Sequence, residues 1–256
     1  MHILVAVKRV VDPNVRVRVR ADAGVLDTAG LKMTLNPFDE VALEQAVRLR
    51  EAGMATKVTV VACDGPAAQD VLRTALAMGA DAAVLVDTSA DATGGHEPAR
   101  LLAELVRQDG ADLVLCGKQA IDDDLGDTVP MLAALLDWPQ ALSVHRMEVD
   151  GTGVQVHCDG DVGVERWHLP LPAVLGVDLR LCDARAVSLP NLMKARKAPL
   201  RSVPAAQLES PRPANMRIVG VAEPAARPAG VRVADVQALL ERLAELPALR
   251  AVEQPR

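Results

Sequence analysis

The chain has 256 residues and a formal net charge of −6, which argues against general nucleic-acid binding. It contains no Tyr, one Phe and two Trp, so it offers almost no aromatic surface on which a base or a flavin could stack. The four cysteines, at positions 63, 116, 158 and 182, form no CxxC pair, which argues against a zinc site or a thioredoxin-type motif. We recognise neither a signal peptide nor an apolar span of about 18 residues, so we expect a cytoplasmic protein.

Short apolar runs alternate with helical patterns along the first half of the chain. The runs are typical of strands buried on both faces, and they cover residues 3–7, 57–63, 83–86 and 112–116. Helical periodicity covers residues 41–50, 69–78, 96–108 and 131–136, and Gly79 is placed to end the second of these helices. This alternation predicts an α/β fold with an open, mostly parallel, Rossmann-like sheet flanked by helices.

Strand patterns in two other regions, after residue 143 and near the start of the chain, do not alternate with helices. Segments 143–149 and 154–157 predict a β-hairpin about Asp150-Gly151, and 164–169 and 173–181 predict additional strands. Pro170 and Pro172 bracket Leu171, which predicts that this segment is an edge or a crossover and not a central strand. Near the start of the chain, residues 15–20 alternate Val with Arg, which predicts a half-exposed strand. Its basic face is either solvated or an anion site.

The character of the chain changes after residue 183. Residues 189–197 predict a short basic helix after a polar entry, and six prolines lie between 198 and 230. That density predicts an extended arm, which usually needs another surface to lie on. Residues 233–246 predict an amphipathic helix. We therefore expect an α/β nucleotide-binding domain over 1–183, followed over 184–256 by a short basic helix and a C-terminal arm with a terminal helix that lies on another surface.

The clearest candidate site lies in residues 112–130. A buried strand pattern ends at Gly117, a polar loop with Asp122, Asp123 and Asp124 follows, and a helix comes next. Ligands of open α/β sheets bind in such loops at the carboxyl ends of strands. The three acids favour a solvated loop or ligand contact through backbone amides and polar side chains over a metal site, since no nearby His completes a set of ligands.

A second candidate is the predicted helix start at Asn36. Asn36 is a plausible N-cap, Pro37 suits the first helical position, and Asp39 and Glu40 are acids in the first turn. The free amides of such a start either bind a phosphate or belong to an ordinary capped helix. No nucleophile, acid–base pair, GxGxxG or P-loop can be named. The residues alone thus predict a nucleotide-binding domain without its own catalysis, either partnered or a stand-alone regulatory protein.

Several longer motifs carry a resemblance to a known family. They are VAVKRVVD (5–12), NPFDE (36–40), RTALAMGAD (73–81), GKQAIDDD (117–124), DWPQ (137–140), LPAV with DLRL (171–174, 178–181) and LPNLMKARK (189–197). In this order they resemble the β subunit of electron transfer flavoprotein over nearly the whole chain. The resemblance implies a nucleotide-hydrolase-like fold, a structural AMP, and a heterodimer whose α subunit holds most of the FAD. It also implies that residues 184–256 form a recognition loop and an arm that packs on the partner subunit.

The resemblance also implies electron transfer rather than substrate turnover. Electrons would arrive from acyl-CoA dehydrogenases of fatty acid β-oxidation and related flavoenzymes, and leave to a membrane quinone oxidoreductase.

The family's functional positions can be carried onto matching residues. The AMP and flavin positions are Ala6, Asn36, Pro37, Phe38, Asp39, Cys63, Gly117, Lys118, Gln119, Ala120, Ile121, Asp122, Asp123, Asp124, Leu125, Gly126, Asp127 and Thr128, with Phe38 near the flavin edge. The resemblance places donor docking at Leu189, Pro190, Met193, Lys194 and Lys197. Leu189 would be the exposed anchor of the docking loop; the alternative is that it belongs to the core.

Three departures from the family's common pattern are present. Pro13 stands where many members have Tyr, Gly126 where Asn is common, and Val129-Pro130 where Gly-Gln is common. The latter two departures lie next to the expected nucleotide, and some relatives bind a second FAD in place of AMP and bifurcate electrons. GKQAIDDD and LPNLMKARK are more similar to the AMP-binding group.

Overall fold

The computed structural model describes residues 1–20, 25–88, 96–208, 218–227 and 229–246. Its main sheet has nine strands in the order β11-β10-β9-β12-β8-β1-β6-β7-β13. They are β1 (His2–Ala6), β6 (Lys57–Asp64), β7 (Ala82–Asp87), β8 (Leu113–Gly117), β9 (Gln140–Val149), β10 (Val154–Gly160), β11 (Gly163–Leu169), β12 (Ala173–Val177) and β13 (Arg201–Pro204). Neighbours are parallel from β9 to β13, whereas β9, β10 and β11 form an antiparallel meander.

Helices cover both faces of this sheet. They are α1 (Pro37–Glu51), α2 (Gln69–Met78), α3 (His96–Asp109), α4 (Thr128–Leu136), α5 (Leu189–Lys197) and α6 (Ala205–Leu208). Small two-stranded sheets pair β2 (Arg9–Val11) with β5 (Met33–Leu35), and β3 (Arg18–Arg20) with β4 (Val25–Asp27). The predicted α/β fold is confirmed. None of the described helices is long and apolar enough to cross a membrane.

The continuous apolar runs are explained by burial on two faces. In β8, Leu113 and Leu115 pack with α1 and α2, whereas Val114 and Cys116 pack with α3 and α4. Successive side chains of a strand point to opposite faces, so a strand covered on both sides needs an apolar residue at every position.

The meander confirms the predicted hairpin and explains the proline pair. Val154 pairs with Val149 on either side of the Asp150 turn, and β11 extends the hairpin by one strand. Pro170–Pro172 lie in the crossover from edge strand β11 to interior strand β12. The expected strand over 173–181 was too long, because Asp178 accepts a hydrogen bond from the Arg180 amide at 3.1 Å and starts a 3₁₀ turn, Leu179–Leu181.

The chain divides into two compact units, Met1–Val221 and Ala222–Arg256. In the second unit, helix α7 (Val236–Ala244) begins at Asp235, whose carboxylate accepts a hydrogen bond from the Ala238 amide at 2.8 Å. The amphipathic helix predicted over 233–246 is therefore present over a shorter range. Its residues Val236 and Leu240 are exposed. Residues 218–227 have no regular secondary structure.

Gly79 offers a test of the packing between α1 and α2. It ends α2 with a φ of +127°, and a Cβ added there would lie 3.1 Å from Val47 Cγ1. Gly79→Ala should lower the free energy of unfolding by about 1–3 kcal/mol, through backbone strain and the displacement of Val47. Urea denaturation measures the change.

The matched control is Gly53→Ala. Gly53 also has a positive φ, +77°, but a Cβ there would have no heavy atom within 4 Å. This variant should lose only about 1 kcal/mol from the backbone conformation. Equal losses in the two variants would contradict a packing role for Gly79.

Candidate functional site

A cleft of about 700 Å³ opens at the carboxyl ends of β1, β6 and β8. β1 is the point where the strand order reverses, since β6 continues the sheet on one side and β8 on the other. Such switch points are the usual ligand sites of open α/β sheets, and the volume is typical of small-ligand pockets. The cleft floor consists of small or apolar side chains at the strand ends: Ala6, Val61, Cys63 and Cys116.

Most of the sequence-predicted positions line this cleft. Those brought together are Ala6, Asn36, Asp39, Cys63, Gly117, Lys118, Gln119, Ala120, Asp122, Asp123, Leu125, Gly126, Asp127 and Thr128. Pro37, Phe38, Ile121 and Asp124 do not form part of its described wall. Phe38 is buried, with the Lys118 Nζ 5.6 Å from its ring centroid.

Asp39 holds the inner end of the cleft together. Its carboxylate is buried and accepts hydrogen bonds from the backbone amides of Lys8, at 2.8 Å, and Gly117, at 2.9 Å. Gly117 permits this approach, because a Cβ there would lie 2.5 Å from both Asp39 Oδ1 and Phe38 Cβ. Burial raises the pKa of the Asp39 carboxyl to about 7, against the opposing effect of the amide hydrogen bonds.

Asn36 occupies the predicted N-cap position of α1, but its side chain forms hydrogen bonds with the loop after β8 and not with the helix. It makes no capping hydrogen bond. Its amide nitrogen donates to the Gln119 carbonyl at 3.0 Å, and its oxygen accepts from the Ile121 amide at 3.3 Å. Asn36 thereby fixes the loop after β8 against the start of α1.

The three consecutive aspartates are held by hydrogen bonds and ion pairs within the protein. Lys8 Nζ lies 2.9 Å from Asp122 and 2.8 Å from Asp123, and Gln119 donates to Asp124 at 2.7 Å. Burial alone would lower the pKa of Lys8, but the hydrogen bonds that its ammonium donates to both carboxylates outweigh this effect and raise the pKa. Among the described residues, no group of three or more His, Cys, Asp or Glu is arranged to hold a metal.

A line of ion pairs connects the cleft rim to the meander. Lys118 Nζ lies 2.8 Å from Asp178, whose other oxygen lies 2.7 Å from Arg180 Nε. Arg180 also pairs with Asp159 of β10. Hydrogen bonds from Arg180, together with Lys118, hold the pKa of the Asp178 carboxyl well below its usual range. The Lys118 ammonium is thus kept at the rim, beside the Phe38 ring.

Sequence reasoning missed several residues of the cleft. Lys8 and Thr88 line it, as do Pro98 and Leu102 of α3. The hydroxyl of Thr88 is buried without a hydrogen-bond partner among the residues that the structure describes, so a ligand atom could satisfy it. Thr88 directly follows β7, whose last residue Asp87 pairs with Asp64, the residue after Cys63, so alignment of the two strand ends would have revealed it.

The departures at Gly126 and Pro130 have local explanations. Gly126 has a φ of +63°, a left-handed conformation that Asn tolerates better than most residues, so glycine preserves the path that Asn would take. Pro130 lies in the first turn of α4, where its missing N–H breaks no helical hydrogen bond. It leaves the first turn with one fewer amide to offer a ligand.

Helix α5 forms a separate surface. Leu189 is 71% exposed and Met193 is 49% exposed, and these two residues lie one turn apart on the same face. Pro190, Lys194 and Lys197 are also exposed, whereas Ala195 is buried. The alternative in which Leu189 belongs to the core is therefore wrong.

Comparison with known proteins supports one family. The electron transfer flavoprotein domain matches residues 23–208. The electron transfer flavoprotein subunit beta of Bradyrhizobium diazoefficiens is 44% identical over 246 residues, which cover 95% of this chain and 97% of the relative. The chain belongs to the electron transfer flavoprotein β-subunit family.

Two eukaryotic relatives of this family extend the match. The mitochondrial subunit beta of Oryza sativa subsp. indica is 47% identical over 247 residues, covering 95% of this chain and 97% of its own. The Homo sapiens subunit beta is 40% identical over 249 residues, covering 96% and 98%. Membership of the electron transfer flavoprotein family identifies the chain as part of an electron-transfer flavoprotein.

The raised pKa of Asp39 predicts a pH dependence of stability. An aspartate ordinarily titrates near 3.8, so between about pH 4 and pH 7 the folded protein binds a proton that the unfolded chain does not. The contribution of Asp39 to the free energy of unfolding should therefore fall as pH rises through this window, by at most about 1.4 kcal/mol per pH unit, and level off above pH 7.

Urea denaturation of the wild type and Asp39→Asn at pH 5, 6, 7 and 8 measures this contribution as a difference. The control is Asp12→Asn. A hydrogen bond from Lys32 and others from Asn14 hold the pKa of Asp12 at about 2, below the ordinary value of 3.8, so its contribution is lost as pH falls from about 4 to about 2, and its difference should be flat over the same window. A flat difference for Asp39→Asn as well would refute the raised pKa.

Proposed function

We propose that the chain is the β subunit of a heterodimeric electron carrier and binds a structural AMP in the cleft. An α subunit holds most of the FAD, to which this chain contributes from the side of Phe38. Electrons come from acyl-CoA dehydrogenases and related flavoenzymes and pass to a quinone oxidoreductase. The chain turns over no substrate of its own. The observation that carries the proposal is the cleft at the switch point, closed by Asn36 and Asp39 and built from the family's GKQAIDDD loop.

The wall of the cleft suits a nucleotide that is bound and not converted. An apolar floor from Ala6, Val61 and Cys63 offers a flat base a dry surface, while Lys118 and Thr128 provide polar contacts at the rim. Burial raises the pKa of the Cys63 thiol to about 12, so it is uncharged at neutral pH and is a poor nucleophile. These features support binding in preference to covalent catalysis.

Exposed apolar side chains support a partnered chain over a stand-alone regulatory protein. Leu189 and Met193 on α5, and Val236, Leu239 and Leu240 on α7, are all exposed. Residues 184–256 would then form the docking segment and the arm that packs on the α subunit. An apolar anchor with a basic rim, such as Leu189 with Lys194 and Lys197, suits a transient interface with another protein.

Cofactor stoichiometry tests the nucleotide assignment. The purified heterodimer should release one FAD and one AMP on acid extraction, quantified by chromatography. Two flavins and no AMP would overturn the assignment and favour the electron-bifurcating alternative, in which a second FAD occupies this cleft. The chain expressed alone is the control for partnership: a stable, soluble, nucleotide-loaded protein that binds no α subunit would favour the regulatory alternative.

Docking through α5 is tested with Leu189→Ala. Truncation of an exposed anchor should lower kcat/KM for a reduced acyl-CoA dehydrogenase by about tenfold or more, with flavin content and heterodimer assembly unchanged. Leu135→Ala is the control, since Leu135 is a partly exposed leucine of α4, on the opposite face of the sheet. Loss of flavin from Leu189→Ala would instead assign Leu189 a structural role.

A further inference from the structure

Arg185 lies between two acids of helix α1, in the segment that leads into α5. Its guanidinium contacts Glu44 through Nε, at 2.7 Å, and through Nη2, at 3.2 Å. It contacts Glu51 through Nη1, at 2.7 Å, and Nη2, at 2.9 Å. One planar group thus binds two carboxylates, each with two hydrogen bonds, which is the geometry that arginine and not lysine can supply.

The contact between Arg185 and Glu44 is more than a surface ion pair, because Glu44 is buried. It is 2% exposed, and it also accepts a hydrogen bond from Arg48 at 2.6 Å. Burial alone would raise the pKa of Glu44, but the hydrogen bonds from Arg185 and Arg48 hold it below its ordinary value. Arg48 further donates to the Asp183 carbonyl at 2.7 Å. Residues 183–185 are therefore fixed to α1 at two points.

The helix that follows is anchored at its other end as well. Ser188 accepts a hydrogen bond from the Asn191 amide at 3.4 Å and starts α5 three residues after Arg185. At the far end, Arg73 of α2 donates to the carbonyls of Ala195, at 2.7 Å, and Ala198. Because α5 buries only Ala195, its direction depends on these polar anchors more than on packing.

We propose that Arg185 is a positioning residue for donor docking: its clamp on Glu44 and Glu51 sets the orientation in which α5 presents Leu189 and Met193. The inference rests on the proposed function, because it assumes that α5 is the docking surface. Arg185 itself is only partly exposed, and it acts through the helix and not by touching the donor.

The test uses Arg185→Lys in the assembled, flavin-loaded heterodimer. Lysine keeps the charge but cannot bind both carboxylates with paired hydrogen bonds. We expect KM for a reduced acyl-CoA dehydrogenase to rise about tenfold, with kcat, flavin content and AMP content unchanged, because misplacing a docking group by about an ångström weakens recognition without altering the cofactor. Hydrogen exchange of the α5 amides should become faster.

Arg107→Lys is the matched control. Arg107 pairs with Glu104 at 2.5 Å and donates to the Leu135 carbonyl at 2.6 Å, on the opposite face of the sheet from α5. It should leave KM for the donor unchanged. An equal rise in KM from Arg107→Lys would overturn the inference, since the effect would then be one of general stability.

A double-mutant cycle with Leu189→Ala separates positioning from a general loss of structure. If Arg185 acts through Leu189, the double variant should be little worse than Leu189→Ala alone. Additive losses, or loss of flavin from Arg185→Lys, would overturn the inference. If Leu189→Ala slows transfer and Arg185→Lys does not, only the role of Arg185 fails. If neither variant affects transfer, docking through α5 fails, and the inference fails with it.

Discussion

The carboxylate of Asp39 joins three parts of the chain that are far apart in sequence. It stands in the first turn of α1 and accepts the amides of Lys8, just beyond β1, and Gly117, at the end of β8. These two strands and this helix start form part of the wall of the cleft, so one buried group fixes their separation. A glycine at 117 is required by the same contact, since the carboxylate occupies the space of a Cβ. Burying an acid costs free energy, and its amide partners offset much of that cost.

The cleft and helix α5 are held by different kinds of interaction. Around the cleft, Asn36, Asp39 and the Lys118–Asp178–Arg180 ion pairs cross-link loops to a core that is buried on two faces. Helix α5 instead lies on α2, with a single buried residue and guanidinium groups at its ends. Its apolar side chains remain available to a partner.

Much of this architecture is predictable from the sequence, because each strand that is covered on both faces is a continuous apolar run. That pattern predicts the strands near 3–7, 57–63, 83–86 and 112–116. The end of α2 is predicted by Gly79. Long-range side-chain contacts do not: Asn36 occupies a capping position, yet its side chain bonds a loop 83 residues away. Lys8 and Thr88 were missed for the same reason, since their places in the cleft depend on which strand ends are neighbours. The docking role expected of α5 rests on the family resemblance. The residues around Leu189 in the sequence do not reveal whether its side chain is buried, whereas the structure shows that it is exposed.

The small buried area of α5 also has a consequence for how such a chain can diversify. Leu189, Pro190 and Met193 are exposed, so we expect substitutions at these positions to have little effect on the folding free energy, the cleft or the sheet. Arg73, Glu44 and Arg185, which anchor α5, are not part of its exposed face, so they can stay unchanged while residues of that face are substituted. If α5 is the docking surface, as proposed, one scaffold can therefore acquire different redox partners by substitutions confined to one or two helical turns.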